Sequence, residues 1–282
     1  MSSTEQWTTI IRPRRHLLDI DIREILRYKD LIYLLIRRDF VARYKQTILG
    51  PLWYIVQPLL TTIMFTIVFG RIARIPTDGM PHMLFYLSGT VIWNYFSKCL
   101  TSTSNTFTGN AGLFGKVYFP RLVIPISVVI SNLFQFLVQF ILLLGFWVYF
   151  WFRGAALSLS WAMLLLPAYV FLAGLMGLGF GLLVSSMTTK YRDLAFLLNF
   201  GMQLWMYGTP IVYPLSQVPD RWRLWIELNP MTPIVEGFRK ALLGVGTLQD
   251  WQLLYIVVFV IVILFAGVII FNKVEQSFMD TV

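Results

Sequence analysis

Long apolar stretches without a single Asp, Glu, Lys or Arg recur along the chain: Leu52 to Phe69, Leu122 to Phe152, Leu157 to Thr189, Leu194 to Val218 and Trp251 to Asn272. A helix needs roughly 20 apolar residues to cross about 30 Å of hydrocarbon, so each stretch predicts a membrane-spanning helix. A sixth, Met83 to Phe107, is interrupted by Lys98. A lysine near a helix centre costs roughly 2.5 to 3.5 kcal/mol on insertion. Leu84, Phe85, Tyr86, Leu87, Val91, Ile92, Trp93, Tyr95 and Phe96 offset that charge, and a lysine can snorkel or face a protein interior. The pattern predicts an all-α integral membrane protein with six transmembrane helices in residues 51-272, at 52-70, 83-107, 122-151, 161-187, 194-213 and 251-272.

The segments between the spans are also patterned. In the N-terminal segment 1-50, Tyr33, Ile36, Phe40, Tyr44 and Ile48 recur at spacings of three and four, with Arg38, Asp39, Lys45 and Gln46 on the other side. This predicts an amphipathic helix over residues 30-48, lying in the membrane interface and turning into the first span at Gly50-Pro51. In the fourth span Ala173, Gly177 and Gly181, with Gly174 and Gly179, make a small-residue face on which another helix can pack closely. Residues 209-250 contain Pro210, Pro214, Pro219, Pro230 and Pro233 yet are too apolar for a free loop. Trp222 and Trp225 beside Arg221 and Arg223 have the composition of an interface belt. Ile234, Phe238, Ala241 and Leu242 suggest a short amphipathic helix. Non-helical backbone at membrane depth survives only inside protein or beside water, so this region reads as short re-entrant helices before the last span, capping the outer side as a gate.

Composition agrees with a lipid environment: 57% of residues are hydrophobic and 13% charged, against about 25% charged in soluble domains. The net charge of +9 is concentrated before the first span, in Arg12, Arg14, Arg15, Arg23, Arg27, Lys29, Arg37, Arg38, Arg43 and Lys45. By the positive-inside rule that end is cytoplasmic, and an even number of spans puts the tail, residues 273-282, on the same side. The basic residues lie beside the membrane, where anionic lipid attracts them, so membrane lipids rather than nucleic acid are the expected partner. No cleavable signal peptide is expected, because the first 30 residues lack an apolar core.

Catalytic chemistry is missing. Cys99 is the single cysteine, His16 and His82 fall at opposite ends of the predicted topology, and no span contains Asp or Glu, which weakens ion-coupled transport. Gly109 to Val117 resembles a phosphate loop only superficially: five residues separate Gly109 from Gly115, and Val117 follows Lys116 where Ser or Thr is required. The chain is therefore expected to carry no ATP site, metal or cofactor, and the segment reads as a short helix facing a cytoplasmic partner. Of the aromatics, Trp53, Tyr54, Trp93 and Tyr95 are candidates to line a sugar path, since they share spans with Gln57, Thr61 and Asn94 and rings stack on the C–H faces of sugars while offering polar tips.

Several segments in order resemble the membrane subunits of ABC exporters that carry O-antigen, capsular polysaccharide or teichoic acid chains. They are Arg38-Asp39-Phe40, Arg43-Tyr44-Lys45 and Leu49 to Trp53; Asn110 to Lys116, Phe119-Pro120-Arg121 and Pro125; Lys190 to Leu194; Thr209 to Tyr213; Leu228-Asn229-Pro230-Met231; and Phe271 to Val282 with Lys273, Glu275 and Phe278. Met279-Asp280 and Lys98 depart from the pattern. The resemblance implies a homodimer in the bacterial inner membrane, with two copies of a cytoplasmic ABC ATPase holding ATP and Mg, and a lipid-linked glycan as substrate. It makes residues 30-48 a gate helix and 109-119 a coupling helix, with Asn110, Leu113, Phe114, Lys116, Arg38 and Tyr44 as ATPase-coupling residues. A drug or lipid exporter of the same superfamily and an ion-coupled secondary carrier remain open as alternatives.

Overall fold

The computed structural model describes residues 22–44, 50–114, 119–157, 159–191 and 193–278. Among these the regular structure is helical, with α-helices in the order α1 (Ile22–Arg27), α2 (Lys29–Tyr44), α3 (Trp53–Phe65), α4 (His82–Ser104), α5 (Thr106–Phe114), α6 (Val123–Phe152), α7 (Leu166–Thr188), α8 (Leu194–Tyr207), α9 (Asp220–Glu227), α10 (Met231–Leu243) and α11 (Asp250–Phe278). A 3-10 turn, Gly50–Leu52, leads into α3, and a π-helical turn, Thr66–Ile72, extends it. Four helical stretches are long and apolar enough to cross a membrane: Gly50–Ile72, Val123–Phe152, Trp161–Thr188 and Asp250–Glu275.

Proline and glycine punctuate these elements as their backbone chemistry dictates. Pro125 and Pro167 sit in the first turns of α6 and α7, where no N–H is needed for the helix ladder. Pro230 precedes α10, and Gly244 ends it at φ 78°, the left-handed conformation glycine adopts without a Cβ penalty. The expected fifth span stops early: α8 ends at Tyr207 rather than residue 213. At 14 residues it is about 21 Å long. Pro210, which cannot donate to the helix ladder and disfavours helical backbone before it, ends the run, and Asn229 Nδ2 holds the break by donating to Gly208 O at 2.9 Å and Thr209 Oγ1 at 3.0 Å.

At the centre is α4, the stretch that carries Lys98. Sixteen of its 23 residues are buried, which explains why a charge-bearing segment still forms a long helix in the middle of the bundle. Its neighbours include α3, α6, α7, α8 and α10. The small-residue face of α7 is what lets α4 approach. A Cβ on Gly177 would stand 2.7 Å from Cys99 Cβ and 2.9 Å from Phe96 O, and one on Gly181 would stand 3.0 Å from Leu100 O. Gly179 points the other way, to within 3.0 Å of Leu264 N, while a Cβ on Gly267 would meet Gly179 O at 2.6 Å. The glycines of α7 thus serve two contacts, with α4 on one face and α11 on the other.

Two apolar cores result. The larger runs through α4, α6, α7 and α10 and includes Phe85, Tyr86, Trp93, Phe136 and Phe238. The smaller gathers Leu35 of α2, Phe107 and Phe114 of α5, Phe119, the start of α6, and Val268 and Phe271 of α11. Each lies toward one end of the bundle, so the helix ends, not only their middles, are bound together.

Gly177→Ala is expected to lower the thermal midpoint in detergent, with a loss of roughly 1 to 3 kcal/mol from overpacking against α4. Gly145→Ala is the control, since a Cβ there meets nothing within 4 Å. An unchanged midpoint for Gly177→Ala would mean that α4 and α7 separate freely.

Candidate functional site

At the end of the bundle that holds α2 and α5, aromatic rings tie elements that are distant in sequence. Phe107 stacks on Phe271 with centroids 4.5 Å apart, and Phe114 contacts Phe107 at 6.0 Å and Phe119 at 5.9 Å. Arg121, 3% exposed, lies over the Phe114 ring at 5.0 Å and donates from Nη1 to the backbone O of Glu275 at 3.1 Å. Its Nε is 3.8 Å from Glu275 Oε1. Burial lowers the Arg121 pKa from its ordinary value, and the Glu275 carboxylate opposes that shift. The segments Phe119-Pro120-Arg121 and Phe271 to Glu275 therefore meet in one clasp.

This clasp fixes how α5 sits. Asn110 bends it, at φ −123° and ψ 16°, and caps the preceding turn by donating from Nδ2 to Thr106 O at 3.0 Å. Phe114 is buried, Asn110 and Leu113 are half-buried, and the outward surface is made by Thr108, Gly109 and Gly112. Among the expected coupling residues, Phe114 thus turns into the bundle as the anchor of α5. Lys116 and the side chain of Tyr44 lie outside the described residues. The sequence pattern did not single out the small outward residues of α5, because glycine carries no periodic signal.

Helix α2 packs on α6, with Phe40 edge-on to Phe134 at 5.1 Å. Leu35, 2% exposed, is its deepest residue. The expected stripe of Tyr33, Ile36 and Phe40 borders a cavity of about 210 Å³ shared with Tyr54 of α3 and Phe134 of α6. Arg38 lies outside that cavity, exposed and paired with Asp39 at 2.9 Å.

The four candidate aromatics separate. Trp53 is half exposed at the start of α3, and Tyr54 borders the α2 cavity. Trp93 and Tyr95 are buried inside the subunit. Trp93 packs against Trp205 and Phe96 at 6.2 and 5.4 Å, and Tyr95 against Phe136 at 5.3 Å. The face that α4 leaves open is instead polar. Lys98 is exposed, and Asn94, Ser97 and Thr101 are half-buried.

At the opposite end, α10 is nearly enclosed, including Ile234, Phe238, Ala241 and Leu242. Asn229 is a hub there. Besides its two donations, its Oδ1 accepts from Trp205 Nε1 at 2.8 Å and from Met231 N at 3.0 Å. This joins the segments Thr209-Pro210 and Leu228 to Met231.

Arg239 of α10 carries a charge yet is 1% exposed. Its Nη1 donates to Glu236 Oε1 at 2.9 Å and to Pro210 O at 3.0 Å, its Nη2 to Ile211 O at 3.3 Å, and it lies 3.7 Å from the Phe85 centroid. Glu236 Oε2 accepts from Thr247 N at 3.0 Å. The sequence signal was an acid three residues before a base in a helix with few charges. On the exposed side, α9 presents Trp222 and Trp225, with Arg221 over Trp222 at 5.6 Å and Arg223 bound to Glu227 at 2.9 Å.

Breaking the buried pair from one side, with Glu236→Gln or Arg239→Met, is expected to cost about 3 to 5 kcal/mol by leaving a buried charge uncompensated. The double variant should recover part of the loss in detergent thermal unfolding. Strictly additive losses would mean that the two groups do not depend on each other.

Residues 30–243 match the family model of the ABC-2 type transporter. The chain is 29% identical over 253 residues to the O-antigen export system permease protein RfbA of Klebsiella pneumoniae, covering 89% of this chain and 94% of the relative. It is 27% identical over 270 residues to the RfbA protein of Myxococcus xanthus, covering 93% and 98%. It is also 24% identical over 253 residues to the polysialic acid transport protein KpsM of Escherichia coli, covering 86% and 93%. The family match takes in nearly all of α2 together with α5 and α10 within one continuous region, and the chain belongs to the ABC-2 type transporter family.

Proposed function

We propose that the chain is the transmembrane permease subunit of an ATP-driven exporter that moves a lipid-linked polysaccharide, of O-antigen type, outward across a bacterial inner membrane. The observation that carries this reading is the nearly end-to-end similarity to relatives named for O-antigen export and polysialic acid transport. A general drug or lipid exporter would share the family, but the relatives reported above are named for O-antigen export and polysialic acid transport. ATP and Mg are held by a separate ATPase subunit, two copies of which serve a homodimer of this chain.

In this reading six helices span the membrane, with α4 and α8 joining the four apolar stretches, and both termini are cytoplasmic. The α2 helix is the interfacial gate, and α5 is the coupling helix. Closure of the ATPase pair presses on the outward surface of α5. Phe114 and the Phe107–Phe271 stack carry that displacement into α11 and the lower end of α4. Asn110, Leu113, Lys116, Arg38 and Tyr44 supply or support the docking surface. The outer cap of α9 and α10 is the external gate. Helices α3 and α8 have few buried residues, Pro58 and Thr62 in one and Met202 in the other, which suits them to meet the second subunit.

Deletion of the chain is expected to abolish surface glycan and to accumulate lipid-linked precursor inside. Unchanged surface glycan would overturn the reading. For coupling, Gly112→Arg places bulk on the open surface of α5, where a Cβ meets nothing within 4 Å. It should weaken co-purification of the ATPase without changing thermal stability. Phe114→Ala should reduce both, with a folding loss of roughly 3 to 5 kcal/mol for an emptied aromatic site. ATPase retention by Gly112→Arg equal to wild type would remove α5 from the docking surface.

A further inference from the structure

Helix α4 has one open face, and its character changes along the helix. Toward the α10 end that face is closed, since Leu87, Thr90 and Val91 are buried. From Asn94 toward the α5 end it opens, exposing or half-exposing Asn94, Ser97, Lys98 and Thr101 at helical spacings of three and four. They sit on a helix whose other faces are filled with Trp, Phe and Leu.

A face of this composition does not suit hydrocarbon. Snorkelling would account for Lys98 alone, since it lies six residues from the end of α4. It does not account for Asn94, which is one turn deeper, is too short to reach headgroups, and forms no side-chain hydrogen bond among the described residues. The polar run therefore calls for water or protein beside it rather than hydrocarbon; it ends against buried residues toward α10 and is open toward α5. Within the described spans α3, α4 and α8, Lys98 is the one ionisable Asp, Glu, Lys or Arg.

We propose that this run lines a water-filled cleft in the assembled exporter, and that Lys98 is its binding residue for a phosphate group, holding the linking phosphate of the lipid-linked glycan as that group enters. This rests on the export reading above. The ammonium supplies a charge-assisted contact that hydroxyl and amide neighbours cannot, while Asn94, Ser97 and Thr101 offer the weak, exchangeable contacts that a moving sugar chain needs. A single cation on the open face of α4 favours a group that arrives once per substrate rather than a charge repeated along a polymer.

The test uses the full chain with its ATPase partner in nanodiscs of zwitterionic phosphatidylcholine. The probes are a short polyprenyl diphosphate and the polyprenyl alcohol of the same chain length, with bound ligand measured by native mass analysis. Lys98→Gln should weaken diphosphate binding by about tenfold, the loss expected for one charge-assisted contact. Lys98→Arg should restore it, and alcohol binding should not change. Equal diphosphate binding by wild type and Lys98→Gln overturns the proposal. So does displacement of the probe by phosphatidylglycerol with the same Lys98 dependence, because the site would then serve bulk lipid headgroups.

Exposure of the cleft is tested separately with Lys98→Cys and a membrane-impermeant thiol reagent. Ile141→Cys serves as the lipid-facing control, and the native Cys99 is buried. Labelling at 98 but not 141 is expected, and no labelling at 98 overturns the cleft. Neither failure would touch the export reading, which stands or falls on surface glycan in cells.

Discussion

The close approach of α4 to α7 is the constraint on which the rest of the subunit depends. It exists because Gly177 and Gly181 leave room for the α4 backbone and for Cys99 and Thr103. With α4 drawn into protein on most of its circumference, a helix carrying a lysine and several amides and hydroxyls need not meet lipid along its length. Everything attached to α4 inherits its position: Gly89 admits the Arg239 guanidinium and Ile211, and Trp93 and Phe96 seat Trp205 of α8. Wider spacing between α4 and α7 would loosen α10 and α8 together.

The ends of the bundle are then closed by polar groups used sparingly. Arg239 spends its donors on Glu236 and on two carbonyls freed where the chain leaves α8. Asn229 satisfies a neighbouring pair of groups at the same break. Irregular backbone inside a membrane protein must find its hydrogen bonds within the protein, and here a few side chains supply them. At the other end Arg121 joins the start of α6 to the end of α11. Such buried groups add little net stability compared with apolar packing, but removing one partner leaves the other uncompensated.

Much of this was legible in the sequence because charge avoidance and small-residue spacing are one-dimensional signals. The uncharged runs located the long helices, the glycines of α7 announced close packing, and Ile234, Phe238, Ala241 and Leu242 marked α10. Partners were not legible. Arg239 reads as a surface charge until Glu236 and the carbonyls of residues 210 and 211 are brought beside it. Trp93 and Tyr95 share a span with polar residues, yet the helix turns the rings inward and the amides outward. Phe114 belongs to a segment suited to a partner but faces the core. In each case the missing information was the direction of a side chain around its helix, which needs the neighbouring helices to define it.

The short α8 bears on the surrounding lipid. A helix of 14 residues, about 21 Å long, is shorter than the roughly 30 Å of hydrocarbon in a typical bilayer. Its amino-terminal end is joined to the much longer α7, so the two helices present different hydrophobic heights to adjacent acyl chains. In the six-span reading proposed above, whatever borders α8, second subunit or lipid, has to match that lower height, and lipid reaching it would have to thin or tilt.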